Sequence, residues 1–82
     1  MAKVTVDIGE KEKHHLVVNF SIFSKRITIE MDGKKVVDKG HYSPAPEKFQ
    51  FDVGSSEQHR VEVSAGGFSP IIVSVDGNQL KT

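Results

Sequence analysis

The sequence predicts an all-β fold, an antiparallel β-sandwich of about eight strands built from two similar four-strand units. Three observations carry this expectation. Apolar residues recur at every second position, which is the strand period, and almost nowhere at helical spacing. Seven glycines and three prolines fall between the alternating runs, where turns are needed. The second half of the chain also repeats the first, including residues at the presumed turns, where alternation alone predicts nothing.

The elements follow in order. Val4, Val6 and Ile8, interleaved with Thr5 and Asp7, mark the first strand. Leu16, Val18, Phe20 and Ile22 mark the second, and Ile27, Ile29 and Met31 the third. Asp32-Gly33 suits a two-residue hairpin turn that needs positive φ. In that hairpin Met31 is expected to face Lys34, and Ile29 to face Val36. Residues 37–47 read as a connector, because Gly40 and Ser43-Pro44-Ala45-Pro46 favour extended, non-helical backbone. Phe49, Phe51 and Val53, then Val61 and Val63, then Ile71, Val73 and Val75 mark three further strands. Asp76-Gly77 closes a second hairpin in which Val73 is expected to face Leu80. Both hairpins place apolar side chains on one face, so turn register and hydrophobic pattern agree. The expected core is this alternating set, without Ile22 and with Val36, Phe68 and Leu80 added.

The repeat is visible when residues 4–24 are laid on residues 49–69. Asp7/Asp52, Gly9/Gly54, Glu12/Glu57, His14/His59, Val18/Val63, Phe23/Phe68 and Ser24/Ser69 coincide. After a one-residue deletion, Ile27/Ile71 and the two Asp-Gly turns coincide as well. The repeats span about residues 3–36 and 48–80 of one domain, residues 1–82. Each unit has an apolar face that it cannot cover alone. Pressing two such faces together gives a sandwich with its sheets about 10 Å apart.

Composition narrows the function. Eleven Lys plus Arg balance eleven Asp plus Glu, so no overall field recruits nucleic acid or an anionic membrane. The absence of cysteine excludes disulfides, zinc–thiolate sites and thiol nucleophiles. No apolar run is long enough to span a bilayer, and the opening Met1-Ala2-Lys3-Val4 has no signal-peptide core. The expectation is a cytoplasmic protein.

The polar residues give no catalytic pattern. His14 and His15 are adjacent on a strand, so their side chains point to opposite faces and cannot share one ion. His59 is the repeat-mate of His14, which points to a shared structural task, and His41 lies in the connector. No serine sits in a nucleophile elbow. Gly66-Gly67 is expected to be a bulge or bend that closes on Phe68. The chain is therefore read as non-enzymatic, with no cofactor and no metal. Lysines at 3, 11, 13, 34, 35, 39 and 81 are read as a solvated surface that protects the sheet edges.

Apolar residues out of phase are more informative. Val17 and Ile72 break the alternation outward, Val37 ends a hairpin, and Tyr42 lies in the connector. These four make the candidate interaction surface for a protein partner or for self-association. The leading expectation is a non-catalytic protein-interaction module. The alternative is a small-ligand or carbohydrate-binding sandwich. It would use Tyr42, with Phe23 or Phe68, and would need a concave hollow beside residues 40–46.

The order and spacing of several short motifs resemble a known family. They are Val4-x-Val6, His14 with Leu16 and Val18, and Ser24-Lys25-Arg26-Ile27 leading into Met31-Asp32-Gly33-Lys34. Phe51-x-Val53-Gly54, Gly67-Phe68, Val75-Asp76-Gly77 and Leu80-Lys81 follow. Over nearly its whole length the chain resembles the N-terminal domain of the Fas apoptotic inhibitory molecule (FAIM) family. The resemblance implies an eight-stranded antiparallel β-sandwich that acts through protein contacts, without catalysis or cofactor. That family is associated with restraint of death-receptor signalling and with limiting protein aggregation. Where its connector typically carries a Trp, this chain has Gly40-His41-Tyr42-Ser43-Pro44.

Overall fold

The computed structural model describes residues 2–79. The alternating runs become eight strands: β1 (Ala2–Ile8), β2 (His14–Ser21), β3 (Arg26–Met31), β4 (Lys34–Gly40), β5 (Glu47–Val53), β6 (His59–Ala65), β7 (Ile72–Val75) and β8 (Asn78–Gln79). No helix occurs among the described residues, so none is long and apolar enough to cross a membrane. β1 to β4 form one antiparallel sheet and β5 to β8 the other, each in the sequential order of a meander. The fold is the expected sandwich of two similar four-strand units.

The sheets meet through their apolar faces. Val6, Ile8, Leu16, Val18, Phe20, Ile27 and Ile29 of the first half pack with Val53, Val61, Val63, Ala65, Ile71 and Val73 of the second. Strand pairing explains the segregation. Val4 faces Val18 and Val6 faces Leu16, while Thr5 faces Val17 on the outer side. Both Asp-Gly turns hold positive φ at both central residues, 53° and 82° at Asp32-Gly33 and 51° and 83° at Asp76-Gly77. That is the twist which continues directly into a right-handed hairpin.

Two core expectations change. Met31 faces Lys34 as expected, but a register shift follows, and Ile29 faces Val37 rather than Val36. Val36 is the extra residue of the bulge and is 47% exposed, whereas Val37 packs against the core. Phe68 is 86% exposed, because Gly66 and Gly67 form a left-handed turn that swings it outward. The core position at the end of β6 is filled by Ala65 instead. The expected partner of Val73, Leu80, lies outside the described residues. β4 also runs on to Gly40, so residues 41–46 alone join the two sheets.

Candidate functional site

Strand direction gives the sandwich two unlike ends. Residues 9–13, 32–33, 54–58 and 76–77 gather at one end, and residues 22–25, 41–46 and 66–71 at the other.

The first end is polar and belongs to both repeats. Glu12 leaves the β1–β2 turn and accepts hydrogen bonds from the Ser55 and Ser56 amides, each at 3.0 Å, in the equivalent turn of the other sheet. Glu57, its repeat-mate, accepts from the Glu10 and Lys11 amides at 2.9 and 2.8 Å. Gly54 permits the tight β5–β6 turn that offers the Ser55 and Ser56 amides. A Cβ there would lie 2.0 Å from the Glu57 carbonyl oxygen, and its φ is +100°. A histidine supports each carboxylate. His14 Nε2 donates to Glu12 at 2.6 Å and its Nδ1 to Asp32 at 2.5 Å. His59 repeats the pattern with Glu57 and, at 2.6 Å, with Asp76. Each Asp also accepts the amide of the residue after that histidine, His15 or Arg60.

Electrostatics follow from this geometry. A neutral imidazole has one N–H and can donate to only one of two flanking carboxylates, so the pairs favour the imidazolium. Asp32 and then Glu12 raise the pKa of His14, and Asp76 and then Glu57 raise that of His59. The histidines in turn hold Asp32, Asp76 and Glu12 below the usual carboxylate range. Glu57 is lowered to about 2, by His59 first and then by the Lys11 and Glu10 amides. Both nitrogens of each ring are occupied, so this end is a structural latch. Among the described residues no group of three or more His, Asp or Glu side chains is placed to hold a metal ion.

The second end is apolar and is held by the connector. The His41 amide donates to the Lys25 carbonyl at 2.6 Å, and the Phe68 amide to the Pro44 carbonyl at 3.2 Å. These two bonds tie the turns of both sheets to residues 41–46. His41 itself is buried, at 7% exposure. Its Nε2 donates to the Ala45 carbonyl at 2.6 Å, and its Nδ1 lies 3.3 Å from Glu47. The ring stands edge-on to Phe20, with centroids 6.3 Å apart. Only glycine fits opposite it, since a Cβ on Gly66 would lie 2.5 Å from His41 Cδ2. His41 thus forms the floor of a hollow of about 210 Å3, walled by Ile22, Tyr42, Pro44 and Phe68, with Lys25 at its rim.

Large apolar side chains stand exposed around this hollow: Ile22 at 51%, Tyr42 at 81% and Phe68 at 86%. Phe23, the repeat-mate of Phe68, lies in the β2–β3 turn and is 96% exposed. Presenting such groups together at one end adds nothing to the stability of the fold.

The four residues expected to form one interaction surface do not come together. Val17 lies on the outer face of the first sheet between Thr5 and Glu30. Ile72 lies on the outer face of the second, beside Ser64, above a depression that includes Lys48, Gln50 and Glu62. Val37 faces the core. Tyr42 alone belongs to the apolar end. Sequence reasoning left Ile22 out of the core without assigning it to a surface, and it missed the burial of His41 because nothing beside that residue marks burial. The coincidence of Phe23 with Phe68 at presumed turns was the available signal.

Compared with known proteins, the chain matches no family model, no curated protein and no solved structure.

Proposed function

We propose that the protein is a non-catalytic protein-interaction module that docks a partner on its apolar end. The carrying observation is the convergence of Ile22, Tyr42 and Phe68, all exposed, around one shallow hollow, with Phe23 in the adjoining turn. Clustered aromatic anchors ringed by polar surface are what protein interfaces use for most of their binding energy. The histidine rings, by contrast, are occupied by carboxylates or by a carbonyl, and none is hydrogen-bonded to a serine hydroxyl among the described residues.

The hollow also gives the small-ligand or carbohydrate reading a specific observation, since it lies beside residues 40–46 and has aromatic walls. Shape favours the protein partner. The hollow of about 210 Å3 adjoins a wider depression of about 420 Å3 that shares Ile22 and Phe68 and adds Ala2, Ser69 and Pro70. The apolar end is thus a broad surface rather than an enclosing cleft. The aromatic side chains that line the hollow, Tyr42 and Phe68, are themselves mostly exposed. The resemblance to the FAIM N-terminal domain is in keeping with action through protein contacts. A cytoplasmic site of action accords with a domain held together without cysteine.

Affinity capture from native lysate, followed by titration of the captured protein, tests the proposal. The double variant Tyr42→Ser/Phe68→Ser is expected to weaken binding by about tenfold or more while leaving the circular dichroism spectrum unchanged. The double variant Val17→Lys/Ile72→Lys is expected to bind as the natural chain does. The reverse pattern would move the docking surface to the sheet faces.

A further inference from the structure

We propose that a second copy of this chain pairs with it along the β5 edge, making one antiparallel sheet continuous through two molecules. β5 is an edge strand, bonded among the described residues to β6 alone. Edge strands are normally blunted by bulges, by brevity or by charge. β4 carries a bulge together with Lys34, Lys35 and Lys39, and β8 is two residues long among the described residues. β5 has no bulge and is not short, and its outward charges, Lys48 and Asp52, are of opposite sign rather than a like-charged guard. Its seven residues, Glu47–Val53, pair with β6 without interruption.

The sequence of the middle of that edge, residues 48–52, is complementary to itself. Place two copies antiparallel about a two-fold axis at Gln50. Gln50 then faces Gln50, Phe49 faces Phe51 of the second copy, and Lys48 faces its Asp52. Each unlike pair occurs twice. The period of two puts both phenylalanine pairs on the core side and both Lys–Asp pairs on the outer side. Phe49 and Phe51 are only partly buried in the single chain, so pairing covers aromatic surface that the fold leaves wet. Lys48 and Asp52 are both exposed. Because each copy offers the same strand, the contact closes as a dimer rather than propagating as a fibre.

β1 has the same pattern, Lys3-Val4-Thr5-Val6-Asp7, and offers the natural comparison. Two features favour β5. Asp7 is held by His15 at 2.7 Å, whereas the Arg60 guanidinium stands 3.5 Å from Asp52. The β1 edge also offers valines where β5 offers phenylalanines, and so would bury less area.

The chain has no cysteine, so a single introduced one reports without ambiguity. Gln50→Cys places two thiols opposite each other across the axis, and mild oxidation is expected to give a covalent dimer. Thr5→Cys is expected to stay monomeric under the same treatment. In sedimentation velocity from micromolar to millimolar protein, the natural chain is expected to show a monomer–dimer equilibrium. Asp52→Lys and Lys48→Asp each set like charges opposite one another twice, and are expected to weaken it by about tenfold. The exchange Lys48→Asp/Asp52→Lys restores complementarity and is expected to restore the dimer, with thermal melting confirming that each variant folds. A natural chain that stays monomeric throughout, single-charge variants that associate undiminished, or crosslinking by Thr5→Cys in place of Gln50→Cys would overturn the proposal.

Discussion

Glu12 and Glu57 each direct a carboxylate at backbone amides that lie more than forty residues away, in the opposite repeat. The exchange is reciprocal, so the two residues carry equivalent structural tasks. Each satisfies two turn amides and one histidine, and a glutamine in its place would lack the charge and set an amide donor near donors. Glu12→Gln and Glu57→Gln are therefore expected to lower the thermal midpoint by similar amounts, of several degrees each. A variant at either position that melts like the natural chain would break the equivalence. The partners of this latch were legible as coincidences between the halves: Glu12 with Glu57, His14 with His59, and Asp32 with Asp76. Their contacts were not, because the bonds run between turns distant in sequence, and Asp7 with Asp52 coincides equally well without joining them. His41 shows the opposite limit. It is the buried floor of the apolar end, and its burial depends on Phe20 and Gly66, which no local pattern connects to it.

At the level of strands, the first hairpin shows where alternation loses its power to decide. The Asp32-Gly33 turn fixes Met31 against Lys34 and Glu30 against Lys35. Either valine of the Val36-Val37 pair could then satisfy an inward position, so the sequence is compatible with two registers. The bulge selects Val37. It also bends β4 at a sheet edge, and Arg26 and Lys35 meet Asp38 on the strand beyond it. Val36→Thr is accordingly expected to alter unfolding free energy by no more than about 0.5 kcal/mol. Val37→Thr places a hydroxyl against the core and is expected to destabilise by about 1–2 kcal/mol. Urea denaturation of the pair separates the registers, since a Val36-inward hairpin would reverse the order. The Gly66-Gly67 turn teaches a similar lesson. The two glycines marked a departure from regular strand and permit the left-handed φ values found there, but residue type does not say that the turn carries Phe68 outward rather than inward.

Across the whole molecule, the duplicated meander places charge at one end and aromatic surface at the other. The polar end gives stability a pH profile whose sign follows from its pairs. The raised histidines stabilise the fold fully below the ordinary imidazole value of 6.5, and that contribution is lost as pH rises through their raised values. The lowered glutamates act in the other direction. Their contribution is present above the ordinary 4.5 and is lost as pH falls, for Glu57 through about 2. The thermal midpoint is expected to be highest between about 4.5 and 6.5 and to fall on either side. His14→Gln/His59→Gln is expected to flatten the alkaline limb, and an unchanged limb in that variant would assign it to other groups. The two-sheet architecture and the repeat were legible because both are written in a period of two and in paired turn residues. The apolar end was less so, since it is assembled from three loops that only the packing of the sheets brings together. The most direct measurement is amide chemical-shift mapping of the labelled protein as the captured partner is added. Shifts are expected to concentrate at Ile22, Phe23, Tyr42 and Phe68, with residues 9–13 and 54–58 unmoved. Shifts confined to those polar turns, or to the outer faces around Val17 and Ile72, would contradict a partner docked on the apolar end.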